Sequence, residues 1–97
     1  MAKLSARGRK ELARVEREES VLTKPVGGVD WRRNTYALMS DGTILNKYDV
    51  RFVADSFNKE PRKHSYGWTV WKKVKPEVTA EKFVAYFIKR GFQQVQS

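Results

Sequence analysis

A turn signal between two β-rich runs constrains this chain more than any other feature of its sequence. Asp41–Gly42 lies within residues 31–53, which are otherwise rich in aromatic and β-branched side chains. An Asp-Gly pair in such a setting is typical of a tight β-hairpin. A two-residue turn would pair Met39 with Ile44. The sequence therefore predicts two antiparallel strands in this register.

That register predicts which side chains share a face of the hairpin, because side chains alternate along a strand. The more apolar face, which we expect to be the core side, would carry Thr35, Ala37, Met39, Ile44, Tyr48, Val50 and Phe52. The other face would carry Tyr36, Leu38, Leu45, Lys47, Asp49, Arg51 and Val53.

A third strand is predicted over residues 66–75, after a polar loop at 54–65. Aromatic and β-branched residues dominate the strand segment, as they do in sheets. The side chains expected in the core are Tyr66, Trp68, Val70 and Val74. Those expected on the other face, with Tyr36, Lys47 and Arg51, are Thr69, Trp71, Lys73 and Lys75. The third strand would therefore add a tryptophan and two lysines to the non-core face.

The segment from Val78 to Phe92 predicts a helix with clear ends. Thr79 is a good N-cap, and Gly91 favours termination in a Schellman-type ending with Phe92. The side chains spaced to form one apolar stripe are Phe83, Val84, Phe87 and Ile88. We expect this stripe to pack on the sheet.

The N-terminal segment is rich in charged residues and good helix formers. We expect a helix at about residues 9–20, with residues 1–20 forming a charged helix or a mobile arm. Residues 21–30 contain a proline and a Gly-Gly pair and are predicted to be a linker. The expected fold is therefore α+β over residues 31–97: a three-stranded antiparallel sheet with the C-terminal helix on one face, in the order α-β-β-β-α.

Composition excludes several classes of function. The chain has 97 residues, no cysteine and one histidine, which excludes disulfides, thiolate nucleophiles and Cys- or His-based structural zinc sites. Neither a phosphate-loop motif nor a spacing of carboxylates suited to a metal pair is present. We expect no cofactor, metal or catalytic residue. No apolar run reaches the length of a membrane span, and no signal peptide is evident, so a cytoplasmic location is expected.

Positive charge is the main functional signal. Lys and Arg number 20 against 11 Asp and Glu, a formal net charge of +9. A basic surface of this kind attracts polyanions, among which nucleic acid is the commonest. The predicted contacts, mostly to phosphates with little sequence preference, are Arg32, Arg33, Tyr36, Lys47, Arg51, Lys59, Arg62, Lys63, Trp71, Lys73 and Lys75.

Trp71 has three interpretations. Flanked by cations on an open sheet face, it could stack bases while lysines neutralise phosphates. Beneath a covering N-terminal helix, it would be an ordinary core residue. As an exposed aromatic, it could anchor a partner protein.

Two alternatives to nucleic-acid binding stay open. The chain could be a protein-binding module or inhibitor that covers the acidic surface of a partner. It could also be a small toxin-like ribonuclease that uses His64 as a general acid or base. The predicted order of elements matches that of double-stranded-RNA-binding domains, although their motif residues are absent. The sequence does not predict an oligomeric state.

Overall fold

The fold is a five-stranded antiparallel sheet with one short helix, in a computed structural model that describes residues 10–20, 29–52 and 62–95. The elements are β1 (Glu11–Ser20), β2 (Val29–Met39), β3 (Thr43–Phe52), β4 (Arg62–Lys73), α1 (Ala80–Ile88) and β5 (Gln93–Gln94). The strand order across the sheet is β4-β3-β2-β1-β5. Each neighbouring pair is antiparallel.

The prediction of a three-stranded sheet between two helices is therefore wrong, chiefly at the N-terminus. Residues 11–20 form a strand that pairs with β2 on one side and β5 on the other. Val15 is fully buried in this strand. Intrinsic helix propensity is a weak preference, and burial together with two hydrogen-bonded ladders overrides it.

The hairpin forms where the turn signal predicts it, but the predicted register is wrong by one residue. Leu38 pairs with Ile44, because the loop contains three residues instead of two. The Gly42 amide donates to the carbonyl of Met39 at 3.0 Å, and Gly42 has a φ of 89°. A residue in the left-handed region at this point is typical of a three-residue hairpin loop. The shift moves every β3 side chain to the face opposite the predicted one.

The main core lies between α1 and one face of the sheet, called here the helix face. Its buried members are Ala13, Val15, Leu38, Ile44, Phe83, Phe87 and Phe92. A smaller cluster on the opposite face contains Ala37, Met39 and Leu45, with Trp68 packed against it. The predicted core face of the hairpin is therefore wrong. The prediction groups Ile44 with Ala37 and Met39. In the structure Ile44 is buried with Leu38 on the helix face, whereas Ala37 and Met39 are buried on the opposite face.

The predicted ends of α1 are confirmed. The Thr79 hydroxyl accepts a hydrogen bond from the Lys82 amide at 3.2 Å. At the other end, the Phe92 amide donates to the Phe87 carbonyl at 3.0 Å, which is the long hydrogen bond of a Schellman ending. Ile88 departs from the predicted stripe, since it is exposed.

The third predicted strand exists as β4, but it begins at Arg62. The predicted loop is therefore wrong for residues 62–65. The rest of that loop, residues 53–61, lies outside the described part of the chain. Two register shifts interrupt the pairing of β4 with β3. Trp71 packs on the helix face and Trp68 on the opposite one. The two tryptophans are therefore on opposite faces as predicted, but the main core lies on the face of Trp71 instead of that of Trp68. Tyr66 and Val70, predicted in the core, are exposed.

Candidate nucleic-acid interface

Five of the predicted contact residues meet in one cleft of about 290 Å³. Its charged lining consists of five cations and two carboxylates. The full lining is Glu18, Trp31, Arg32, Arg33, Lys47, Asp49, Val50, Arg51, Lys63, His64 and Ser65, and we call it the basic cleft. Positions from β1 to β4 contribute, because antiparallel pairing brings distant segments of the chain side by side.

Arg33 is the most strongly neutralised cation of the basic cleft. Its guanidinium lies 3.4 Å from Glu18 and 3.4 Å from Asp49, on the two neighbouring strands. Glu16 is a third carboxylate at 3.9 Å. Opposite charges facing each other across strands stabilise a sheet. Arg33 therefore joins three strands, and its charge is largely compensated within the protein.

Two other cations of the cleft lie over tryptophan rings. The guanidinium carbon of Arg51 is 3.7 Å from the ring centroid of Trp31, and Glu18 is 3.9 Å from Arg51. The Lys47 ammonium is 5.1 Å from the ring centroid of Trp68. Such cation–π pairs hold the cation in place without neutralising its charge. Arg51 and Lys47 thus stay positive at fixed positions in the sheet.

Lys63, which pairs with Arg51, completes the positive lining. Arg32 borders the cleft but pairs with Val50, so its side chain alternates to the helix face. Lys63 is exposed, and within residues 10–20, 29–52 and 62–95 it forms no ion pair with a carboxylate. An exposed cation of this kind can approach a phosphate without first breaking an internal contact. On its own face the cleft therefore presents Lys47, Arg51 and Lys63 as its available cations.

The remaining predicted contacts lie elsewhere. Tyr36 and Trp71 are on the helix face, with ring centroids 4.9 Å apart, and are separated by the sheet from Lys47 and Arg51. Lys73 and Lys75 line a depression beside the hairpin turn. The predicted grouping of Trp71 with Lys47 on one face is thus not what the structure brings together. Lys59 and the side chain of Arg62 lie outside the described residues.

Sequence reasoning missed the aromatic members of the basic cleft and its neighbourhood. The predicted contacts omit Trp31, because the predicted register puts the odd-numbered residues of β2 on the face opposite Lys47 and Arg51, and the same prediction puts Trp68 in the core. A signal was nevertheless present, since Trp31 and Arg33 alternate along one strand and Lys47 and Arg51 lie on the same face of the next. The correct loop length would have placed all four together.

Among the described residues, His64 has no partner suited to acid–base chemistry. Its ring meets Tyr66 edge-on at 4.5 Å between centroids. The described residues supply no hydrogen bond or ion pair to its side chain, and they include no group of three or more side chains able to hold a metal ion. No helix among them is long and apolar enough to cross a membrane.

Comparison of the chain with protein-family models, curated proteins and solved structures finds no significant match. A function for this protein is therefore inferred from the geometry of the site itself.

Proposed function

We propose that this protein is a small nucleic-acid-binding accessory protein that contacts mainly phosphates through the basic cleft. The observation that carries the proposal is the convergence of four cations on one face of β2, β3 and β4, with two carboxylates in the lining; the cations are Arg33, Lys47, Arg51 and Lys63. Contacts to phosphate position a protein on nucleic acid without reading sequence. Little sequence preference is therefore expected.

The test is an anisotropy titration of labelled duplex DNA, duplex RNA and single strands at several salt concentrations. If the three available cations each neutralise a phosphate, log K falls with log salt at a slope of about −2 to −3. An affinity that does not respond to salt would contradict the proposal.

Lys63 and Arg33 are compared in this experiment, because both lie on the cleft face of the sheet but only Arg33 is ion-paired within the described residues. Lys63→Gln removes an available cation and should weaken binding and reduce the steepness of the salt slope by about one. Arg33→Gln removes a cation that three carboxylates already compensate. It should change affinity less. Equal effects of the two substitutions would mean that the cleft does not distinguish them and that binding reflects net charge alone.

A further inference from the structure

Helix α1 leaves part of the helix face uncovered. It packs mainly against β1 and β5, whereas β3 and β4 lie at the other side of the sheet. On that side Tyr66 is 62 % exposed and Trp71 is 42 % exposed. We call Tyr48, His64, Tyr66 and Trp71 the aromatic surface. On this face, opposite Lys47 and Arg51, the rings of His64, Tyr66 and Trp71 are exposed and that of Tyr48 is half-buried.

The rings of the aromatic surface are held in position by their neighbours. Tyr66 lies 5.6 Å from Tyr48 and 4.5 Å from His64 between ring centroids. Trp71 lies 4.9 Å from Tyr36. Exposed rings that are already ordered lose little conformational freedom when a flat group stacks on them.

The two irregularities of β4 account for this arrangement. One shift falls opposite Ile44 and Leu45, beside Trp71, and the other opposite Lys47 and Asp49, beside Tyr66. Bulges re-aim side chains and are common next to functional sites. They also protect an edge strand from pairing with another chain, as do its lysines. The irregularities therefore favour recognition by side chains over strand addition by a peptide.

The charge around the aromatic surface is positive. A groove of about 270 Å³ beside Trp71 has Lys72 and Lys82 as its charged lining residues. The register assigns no described carboxylate of β3 or β4 to the helix face, because Asp49 meets Arg33 on the opposite one. A partner that fits this surface is negatively charged and carries flat apolar groups.

We propose that the aromatic surface stacks unpaired bases, so that single-stranded nucleic acid is the preferred ligand over duplex. This inference rests on the proposed function and adds a second surface, on the face of the sheet opposite the basic cleft. Bases in a duplex are stacked on one another and cannot present their faces, whereas those of a single strand can. Stacking on protein rings tolerates any sequence, because every base has a π-face. Lys82 and Lys72, whose ammonium lies 4.7 Å from the centroid of the Trp71 ring, are available for the adjoining phosphates.

The test compares two single strands of equal length, oligo-dT and the same backbone with abasic sites, in anisotropy titrations with the full chain. Trp71→Ala and Tyr66→Ala should each weaken binding of oligo-dT about 5- to 150-fold, the range expected for losing one stacked base. Both should leave binding of the abasic strand unchanged. Trp71→Phe and Tyr66→Phe, which retain a ring, should restore most of the affinity for oligo-dT.

Because Trp71 also contacts the core through Phe87, the Tyr66 variant provides a test that does not depend on core packing. Equal losses for both strands, or no loss for either, would overturn stacking. In that event, salt-dependent binding that still responds to Lys63→Gln, on the cleft face, would leave the proposed function standing. Absence of binding to every nucleic acid would overturn both proposals. Displacement of oligo-dT by poly-glutamate, with the same sensitivity to Tyr66→Ala, would assign the surface to an acidic protein partner instead.

Discussion

The guanidinium of Arg51 lies 3.7 Å from the centre of the Trp31 ring on the neighbouring strand. The two residues pair directly across β2 and β3. This stack holds a positive charge at one point of the basic cleft and leaves it available to a phosphate. It also places an aromatic ring and a cation side by side, and both kinds of group contact nucleic acids in binding proteins.

Substitutions at Arg51 should separate charge from stacking. Arg51→Gln removes the charge and should reduce the steepness of the salt slope by about one. Arg51→Lys should leave that slope unchanged while affinity falls modestly, since lysine lacks the planar group that stacks on Trp31. The measurement is the salt dependence of the dissociation constant for each variant.

The matched control for Arg51 is Arg90. Its guanidinium carbon lies 3.7 Å from the centroid of the Tyr86 ring, the same distance as in the Arg51–Trp31 pair, but outside the basic cleft. Arg90→Gln should leave the salt slope unchanged. If Arg90→Gln and Arg51→Gln change the slope equally, the cleft has no special part in binding.

Stability should depend on Arg33 and not on Arg32. Arg33→Gln leaves Glu16, Glu18 and Asp49 near one another without their shared cation. Partly exposed ion pairs contribute up to about 1 kcal/mol each, so a loss of about 1–2 kcal/mol in the free energy of unfolding is expected. The loss should shrink as salt screens the carboxylates. Denaturant titrations at low and high salt measure it, and Arg32→Gln should stay within about 0.5 kcal/mol of the parent chain.

Phe87 and Ile88 are neighbours on α1 with opposite environments. Phe87 is buried against Tyr36, Phe83 and Phe92, so Phe87→Ala should lower the free energy of unfolding by about 3–5 kcal/mol. Ile88 is exposed, and Ile88→Ala should change it by no more than about 0.5 kcal/mol. Denaturant titration of both variants is the measurement. Comparable losses would mean that α1 does not present this face to the sheet.

Gly42 and Gly67 both have positive φ angles, of 89° and 80°, but differ in their surroundings. An alanine side chain at Gly42 would lie 2.9 Å from the backbone carbonyl oxygen of Val74, whereas at Gly67 nothing lies within 4 Å. Gly67→Ala should cost only the strain of the left-handed backbone, about 1–2 kcal/mol. Gly42→Ala should cost more, because the clash adds to that strain. Thermal unfolding of the two variants compares them, and a smaller loss at position 42 would contradict the hairpin geometry.

Local signals in the sequence determined the hairpin turn, α1 with both its ends, and the positive charge. Each depends on a few neighbouring residues: Asp41–Gly42 for the turn, Thr79 for the N-cap, and Gly91 with Phe92 for the termination. Of the predicted contacts, Arg32, Arg33, Lys47, Arg51 and Lys63 were brought into one cleft. Their high density in β2, β3 and β4 made such a meeting foreseeable, although its location was not.

Tertiary structure decided the state of the N-terminal segment, the faces of the sheet and the surroundings of the tryptophans. Residues 11–20 became a strand because pairing with β2 and β5 buries Val15, a contact with segments far away in the chain. Because the hairpin loop has a third residue, the register of β3 differs by one position from the prediction. A shift of one position moves every β3 side chain to the face opposite the predicted one. Trp68 and Trp71 lie on opposite faces, as their spacing predicts, but the packing of α1 decided that the face of Trp71 holds the main core. Strand pairing is non-local and has a period of two, so one residue of register determines which side chains meet.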